Sequence, residues 1–235
     1  MSSVDDARRP IRPPGFLLVP KPGGGKRRLT VLDAIDDAVY RRVVSRLSGM
    51  LERVLGAHVL AHRVASVTPF RLRAWGGERA AFERRRRALV ERANVVVKTD
   101  VRDCYPSIRP EVAEAAFVRI GAERADAGAL RGMLERFVDA GIRGLPVGPV
   151  ASGVVANAVL TAVDDAARAS NAPHIRWVDD VWLASRDERH AAEIIERIQE
   201  ALDAIGLSVH PGKTAVTDGA ASLSLVSSSL DEGSR

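Results

Sequence analysis

Hydrophobic positions along the chain alternate between short β-type runs and longer stretches with helical spacing. After Asp33, apolar residues recur every four positions up to Leu51, which predicts a helix that ends near Gly56. A second stripe of isoleucines and leucines predicts a helix over about 187–205. The remaining apolar periodicity predicts four more helices, at about 78–93, 111–120, 124–140 and 150–169.

Four segments have the composition of strands. The β-branched run 94–101 predicts a strand that carries Asp100 at its C-terminal end. Apolar residues on both sides of Asp179-Asp180 predict a hairpin over 174–184. Shorter runs predict a hairpin over 16–32 with a glycine-rich cationic tip, and a last strand at 214–217, while 57–77 is expected to be irregular. This mixture predicts an α+β fold.

Composition places the chain among soluble globular proteins. It has 235 residues, of which 46% are hydrophobic and 28% charged, enough for one large domain or two small ones. No apolar run resembles a membrane span, and the N-terminus lacks the apolar core of a signal peptide. Cys104 is the single cysteine, which excludes an internal disulfide and a multi-cysteine zinc site. A cytoplasmic location is therefore expected.

Charge is divided unevenly between the two halves of the sequence. Residues 1–98 carry 21 Lys and Arg against 9 Asp and Glu, a net charge of +12. Residues 99–235 carry 14 against 21, a net charge of −7, and the whole chain has +5. A basic first half and an acidic second half suggest that one part binds a polyanion and the other binds cations.

Two neighbouring aspartates in an apolar setting, Asp179 and Asp180, are the main candidate for chemistry. Adjacent carboxylates repel each other and resist burial, so they fit either a solvated turn or a site for a divalent cation. Because neighbouring side chains in a strand point to opposite faces, both reach one site only from a tight turn. Asp100 and Asp179 are the better pair of shared ligands, with Asp180 supporting them, and oxygen ligands of this kind fit Mg²⁺.

Three other patterns carry weaker signals. His58 and His62 have helical ligand spacing, but no third ligand is evident nearby. The four arginines at 84–87 fit a solvated helix face or a contact with phosphates. A phosphate-binding P-loop is excluded at Gly212-Lys213-Thr214, because five residues rather than four separate it from Gly206 and a helix precedes it.

In chain order, these motifs resemble those of reverse transcriptases, in the bacterial lineage of retron, group II intron and phage-defence enzymes. The resemblance covers about residues 16–217 and rests on several segments. They are Lys21…Gly25-Lys-Arg-Arg-Leu29 in the fingers hairpin, Asp36-Asp-Ala-Val39 in the helix that follows, Asp100-Val-Arg-Asp-Cys-Tyr-Pro-Ser-Ile108, Gly144-Leu-Pro-Val-Gly-Pro-Val-Ala-Ser152, Trp177-Val-Asp-Asp180 and Gly206-Leu…Lys213-Thr214.

The resemblance implies a right-hand polymerase palm, an antiparallel sheet backed by helices, preceded by fingers. It implies four regions: a flexible N-terminus at 1–15, fingers at 16–95, a palm at 96–218 and a flexible tail at 219–235. It also implies an RNA template, a DNA or RNA primer and dNTPs as partners, with no membrane. The usual thumb is expected to be absent, so that a protein partner or a non-coding RNA would replace it.

The resemblance also assigns roles to single residues. Two Mg²⁺ ions, with Mn²⁺ as an alternative, would be held by the carboxylates and the Val101 carbonyl, and Lys213 would donate a proton to pyrophosphate. Tyr105 would lie under the sugar and exclude a 2′-hydroxyl. The residues expected to bind the nucleotide or line its pocket are Lys21, Arg27, Tyr105, Gly148 and Ser152.

Two departures from the family pattern leave alternatives open. Val147 stands where a glutamine is common, and Trp177 replaces the usual Tyr or Phe before the aspartates. These changes affect expected template contacts and not the metal ligands. The second-motif change leaves template-independent DNA synthesis open. The expected absence of a thumb leaves open an inactive palm that binds nucleic acid as the partner of another polymerase.

Overall fold

The computed structural model describes residues 10–21 and 24–223. Predictions for 1–9, for Pro22 and Gly23 in the hairpin tip, and for 224–235 lie outside these residues. In chain order, the elements are β1 (Gly15–Pro20), β2 (Lys26–Val31), α1 (Ala34–Val54), β3 (Val59–Leu60), β4 (Val64–Ser66), β5 (Arg71–Leu72), α2 (Trp75–Val90), β6 (Val95–Asp100), α3 (Cys104–Ser107), α4 (Pro110–Arg119), α5 (Arg124–Asp139), α6 (Val150–Val159), α7 (Thr161–Ala169), β7 (His174–Trp177), β8 (Asp180–Ser185), α8 (Glu188–Asp203) and β9 (Ala215–Asp218).

The chain forms two compact units, each made of segments that are distant in sequence. The first unit contains the described residues up to Leu55, His62–Arg73 and Asp103–Val159. The second unit contains Gly56–Ala61, Ala74–Arg102 and the described residues from Leu160. The division into fingers and palm at residue 95 is a functional one, and it stays a prediction.

A five-stranded sheet in the order β3-β7-β8-β6-β9 organises the second unit. Its four later strands pair antiparallel, and β3 adds to one edge parallel to β7. Because strand residues alternate between faces, Val96 and Trp182 pack with Phe82 of α2 on one face, while Val97 and Leu183 are buried on the other. The predicted α+β fold, with an antiparallel sheet backed by helices, is confirmed.

Helices α1, α4, α5 and α6 pack together in the first unit, which also carries the β1–β2 hairpin. Asp33 caps α1 by accepting a hydrogen bond from the Ile35 amide at 3.0 Å, as its position before the apolar stripe predicts. The buried face of α1 differs from the predicted stripe. Ile35 is 48% exposed, while Asp36 and Tyr40 are buried, because both find hydrogen-bond partners inside the unit.

The segment 57–77 was expected to be irregular, and this expectation is wrong. It contains β3, the β4–β5 pair and the start of α2. The two-residue strand β3 belongs to the sheet only through its pairing with β7, which no local pattern reveals. Gly76 and Gly77 do not interrupt regular structure, because both lie in the first turn of α2.

One predicted helix, at 150–169, divides at Leu160 into α6 and α7. Together these helices are long and apolar enough to cross a membrane, and they are the only such stretch among the described residues. However, 78% of that window is buried inside the structure, as expected for helices of a protein core. The apolar composition of this stretch is therefore explained by packing.

Candidate functional site

The three aspartates of the predicted site belong to the second unit, at one end of its sheet. Asp100 is the last residue of β6, and Asp180 is the first residue of β8 and its direct antiparallel partner. Asp179 lies in the turn between Trp177 and Asp180, which pair with each other. The structure therefore brings together carboxylates that are 79 residues apart in the sequence.

The turn that carries Asp179 is as tight as the sequence requires. Only Val178 and Asp179 connect β7 to β8, and Val178 has a backbone φ of 55°. This left-handed conformation is strained for a β-branched residue. The surrounding structure maintains it, since the Val178 side chain is buried and its carbonyl accepts a hydrogen bond from Arg176 Nη1 at 3.4 Å. This tight turn places the two neighbouring carboxylates, Asp179 and Asp180, at the same end of the sheet.

Burial and crowding raise the pKa of Asp179 and Asp180. Burial, followed by the charge of Asp100, raises the pKa of Asp179 to about 6, against a smaller opposing effect of Lys213. Burial also raises the pKa of Asp180, and the charges of Lys98 and Arg86 partly offset the increase. In both cases the charge of Asp100 adds to the increase. The prediction that Asp100 and Asp179 are the better pair of shared ligands stays a prediction.

Lys213 is held at the same end of the sheet. Its ammonium group pairs with Asp100 Oδ2 at 2.8 Å, although its side chain is 54% exposed. The backbone fixes its approach, because the Asp100 carbonyl accepts from the His210 amide at 2.7 Å, immediately before a short 3-10 turn at Pro211–Lys213. Lys213 is therefore a cation that partly balances Asp100 and Asp179.

The predicted backbone ligand, Val101, forms a bridge with Val209. The bonds that define this bridge use the Arg102 amide and the Asp100 carbonyl, so the bridge leaves the Val101 carbonyl unused. Three carboxylates and a carbonyl form an all-oxygen ligand set, and their mutual repulsion is what a divalent cation relieves. The residues fit magnesium, and the ligand assignment stays a prediction.

Replacing Asp179 with asparagine is expected to stabilise the protein in the absence of divalent cations. The unfolded chain ionises near the ordinary aspartate pKa of 3.8 but the folded chain ionises near 6, so ionisation of Asp179 costs stability as pH rises through this window. Asp179→Asn should therefore gain about 2–3 kcal/mol at pH 8, or about 5–10 °C in Tm, and almost nothing near pH 4. Calorimetry in EDTA measures this difference, and a gain that is equal at both pH values would show that ionisation of Asp179 is not its cause.

Tyr105, the predicted sugar contact, belongs to the first unit and is partly exposed on the short helix α3. Its carbonyl accepts a hydrogen bond from the Leu145 amide at 2.9 Å. Gly144 makes this approach possible, because a Cβ there would lie 2.5 Å from the Pro106 carbonyl oxygen. The glycine of the second motif therefore packs its loop against the residues that follow Asp100.

Gly148 and Ser152 occupy different environments in the same unit. Gly148 is exposed, has a φ of 125° and lies against the backbone of Thr30, whose amide donates to the Val147 carbonyl at 2.7 Å. Ser152 is fully buried and shares a 3.2 Å hydrogen bond with the Tyr40 hydroxyl. Ser152 thus lies in the core of its unit, and its role in a nucleotide pocket stays a prediction.

The cationic hairpin is formed, but its charges do not all project together. Lys21 and Arg27 are exposed, as predicted. Along β2, Arg27 points to one face, and Lys26 and Arg28 point to the other. The Arg28 guanidinium stacks over the Phe16 ring at 3.5 Å. Arg27 and Arg28 therefore project from opposite faces of the hairpin.

A buried ion pair next to the carboxylates was not predicted. Arg176 is fully buried and donates from Nε and Nη2 to the two oxygens of Asp164, at 2.8 and 2.9 Å. The sequence signals for this ion pair were weak: an aspartate within an apolar helical stretch and an arginine within an apolar strand. Through this pair α7 is joined to β7, directly before the Val178 turn.

His58 and His174 complete this cluster, in which the ligand atoms of His58, Asp164 and His174 lie within 4.8 Å of one another. Burial lowers the pKa of His58 to about 4, although Asp164 opposes the shift, so His58 is neutral at pH 7. Arg176 already occupies both oxygens of Asp164 and supplies the balancing charge. The cluster therefore fits an internal ion pair better than a metal site. His62 belongs to the other unit and takes no part in it.

Three carboxylates at the end of a helix-backed antiparallel sheet, two of them at a tight turn, define a polymerase palm of the right-hand type. The sequence matches the family described as reverse transcriptase (RNA-dependent DNA polymerase) over residues 19–225, and the chain belongs to this family. No curated protein matches its sequence significantly.

A similar solved structure is that of telomerase from Candida albicans in complex with a fragment of telomeric RNA. The two chains superpose with a TM-score of 0.58 at 14% sequence identity, over 93% of this chain and 44% of the telomerase chain. The chain thus spans less than half the length of the telomerase that it matches. At this identity the similarity establishes a shared fold.

Proposed function

We propose that this protein is an RNA-directed DNA polymerase that transfers deoxynucleotides onto a primer. The observation that carries the proposal is the grouping of Asp100, Asp179 and Asp180 at one end of the sheet, in a chain of the reverse transcriptase family. In the reaction, the primer 3′-oxygen bonds to the α-phosphorus of the dNTP and loses its proton. The bond to the bridging oxygen breaks, and pyrophosphate leaves.

The residues of the second unit supply the chemistry in this proposal. Two Mg²⁺ ions, or Mn²⁺ ions, held by the three aspartates and the Val101 carbonyl would stabilise the charge on the attacking and leaving oxygens. Lys213 lies 2.8 Å from Asp100 and donates a proton to pyrophosphate as it leaves.

Residues of the first unit are proposed to select the nucleotide, on the strength of the family resemblance. Lys21 and Arg27 are exposed cations on the hairpin and suit a triphosphate. Tyr105 is bulky enough to act as a barrier against a 2′-hydroxyl. Gly148 would offer exposed backbone beside the nucleotide. Ser152 would act only by positioning α6, because its own hydroxyl bonds to Tyr40.

Replacing Tyr105 with valine is expected to admit ribonucleotides. A smaller side chain leaves room for the 2′-hydroxyl, so the kcat/KM preference for dNTPs over rNTPs should fall about 10-fold or more, while dNTP incorporation persists. Tyr105→Phe is the matched control, since it keeps the ring and should keep the preference. Unchanged sugar discrimination in Tyr105→Val would remove Tyr105 from this role.

Incorporation assays test the proposal as a whole. Purified protein is given labelled dTTP with an RNA template and an annealed DNA primer, in Mg²⁺, in Mn²⁺ or in EDTA. Templated incorporation that stops in EDTA supports the proposal. Omission of the template separates the alternatives: label incorporated equally without template indicates template-independent synthesis, and no incorporation in any condition indicates an inactive palm that only binds nucleic acid.

The setting that we propose is the bacterial cytoplasm, with a role in defence against phage. A protein partner or a non-coding RNA would help to hold the duplex. The family resemblance is the support for this part of the proposal. Sequencing of the nucleic acid that copurifies with the protein tests it: a unique non-coding RNA supports an RNA partner, and bulk cellular RNA does not.

A further inference from the structure

Helix α2 presents an aromatic and basic surface that the proposed polymerase chemistry does not use. A shallow groove of about 500 Å³ runs along this helix, within the second unit. We call it the α2 groove, and it is lined by Trp75, Gly76, Arg79, Ala80, Glu83, Arg84 and Arg87. We propose that the α2 groove binds single-stranded nucleic acid, with an unpaired base stacked on Trp75 and phosphates on Arg84 and Arg87.

Trp75 is the first reason for this assignment. Its ring is 70% exposed, the largest exposure among the large hydrophobic residues that the structure describes as exposed. The ring is nevertheless positioned, because it packs edge-to-face on Trp177, with ring centroids 6.0 Å apart. A fixed indole with an open face is a stacking platform for a base, and only an unpaired base can use it.

The arginines of α2 divide into two groups with different surroundings. Arg86 is buried over the Trp182 ring, and Arg85 donates to the Ala57 carbonyl, so these two anchor the helix to its own unit. Arg84 and Arg87 are exposed and are among the residues that line the α2 groove. Packing therefore explains half of the arginine run and leaves the other half for a partner.

The charges that line the α2 groove favour an anion. Arg84 forms no ion pair with any described residue, and Arg87 pairs only with the exposed Glu91, an interaction worth little in water. Glu83, the single acid in the lining, is already paired with Arg79 and Arg86. A phosphate backbone can thus replace water around two guanidinium groups without displacing a buried pair.

The length of the α2 groove suits a strand of several nucleotides. Trp75 and Arg87 are 12 residues apart on one helix, which corresponds to about 18 Å. The order of its side chains, an aromatic ring at one end and cations beyond it, is the combination that binds single strands without reading their sequence. Either RNA or DNA offers this chemistry.

Equilibrium binding tests the inference without relying on catalysis. Labelled oligouridylate and oligothymidylate of about 12 nucleotides, and a blunt duplex of equal length, are titrated with the full chain in EDTA without dNTPs. If single-strand binding is absent but incorporation is intact, this inference fails and the proposed polymerase activity stands. If incorporation is absent but single-strand binding is intact, the proposed activity fails and this inference stands. The RNA and DNA arms identify the preferred strand.

We expect Trp75→Ala to weaken single-strand binding about 5- to 100-fold and Trp75→Phe to retain most of it. Arg84→Ala should weaken binding and lower the slope of log Kd against log salt by about 0.7. The matched control is Arg189→Ala on α8, since this arginine is 90% exposed and its replacement removes the same charge. Its Kd should stay within about twofold of the unchanged protein.

Three results of binding and assembly measurements would overturn the inference. One is equal single-strand binding in Trp75→Ala, Arg84→Ala and Arg189→Ala. Another is a duplex that binds as tightly as the single strands, with Trp75→Ala leaving the Kd of both unchanged. The third is a dimer that Trp75→Ala converts to a monomer with oligonucleotide Kd unchanged, which would assign the α2 groove to a second copy of the chain. Photo-crosslinking of an iodouridine oligonucleotide should map to the peptide that contains Trp75, and a map confined to other peptides would also contradict the inference.

Discussion

With Asp179→Ala and Asp180→Ala combined, magnesium-dependent dNTP incorporation should fall by at least about a thousandfold. Carboxylates that hold the catalytic cations stabilise the transition state by several kcal/mol, and about 4 kcal/mol corresponds to this factor. The fold should survive, because the raised pKa of Asp179 means that its ionised carboxylate destabilises the cation-free protein. Single-turnover extension of a labelled primer measures the loss, and circular dichroism checks the fold.

The control for this experiment is a second pair of aspartates with no place in the site. Asp165 and Asp203 are exposed on α7 and α8, and their joint replacement by alanine removes the same formal charge. Incorporation by this control should remain within about twofold of the unchanged protein. Equal incorporation by the Asp179 and Asp180 double variant would refute the catalytic assignment, whatever the behaviour of the control.

The positions of the three aspartates could be predicted from the sequence, because each lies beside a segment with a strong local pattern, while their role as metal ligands stays a prediction. The β-branched run of β6 delivers Asp100, and the apolar residues around Asp179 and Asp180 favour a hairpin. A tight turn was also required by the alternation of strand side chains. Sequence alone could not identify Val178 as the strained residue, because a β-branched side chain is disfavoured there.

Other features depend on partners that are distant in sequence. Tyr40 and Asp36 replace Ile35 on the buried face of α1 because Ser152 and the Arg12 amide satisfy them. Periodicity ranks positions by hydrophobicity and cannot anticipate a hydrogen bond across more than one hundred residues. For the same reason, periodicity could not predict β3, a two-residue strand that is defined only by its pairing with β7.

The four consecutive arginines at 84–87 show how one sequence pattern can have two outcomes. A run of charges predicts a solvated helix face. In the structure, however, Arg86 is buried against Trp182 while Arg84 is exposed. The guanidinium group allows this, since it stacks on aromatic rings more readily than an ammonium group does.

Asp164→Asn is expected to destabilise the protein by about 3–5 kcal/mol, or about 6–20 °C in Tm, because it leaves the buried Arg176 without its counter-ion. Asp165→Asn, one residue along α7, is the matched control. Asp165 pairs with Arg168 at 2.7 Å, but both side chains are at least half exposed, so its loss should cost less than about 1 kcal/mol. Urea denaturation of both variants measures the difference, and equal losses would contradict the stabilising role of the buried pair.

The pH dependence distinguishes this effect from that of Asp179. Burial alone would raise the pKa of Asp164, but Arg176 and His174 outweigh it and hold that pKa well below its usual range. The contribution of Asp164 is therefore complete above about pH 4 and is lost only as pH falls further. Between pH 4 and pH 6 the gain of Asp179→Asn should therefore grow, and it should change little at higher pH, whereas the deficit of Asp164→Asn should be large throughout this range. Because Arg176 also holds the Val178 carbonyl, Asp164→Asn should slow incorporation as well, and Asp165→Asn should not.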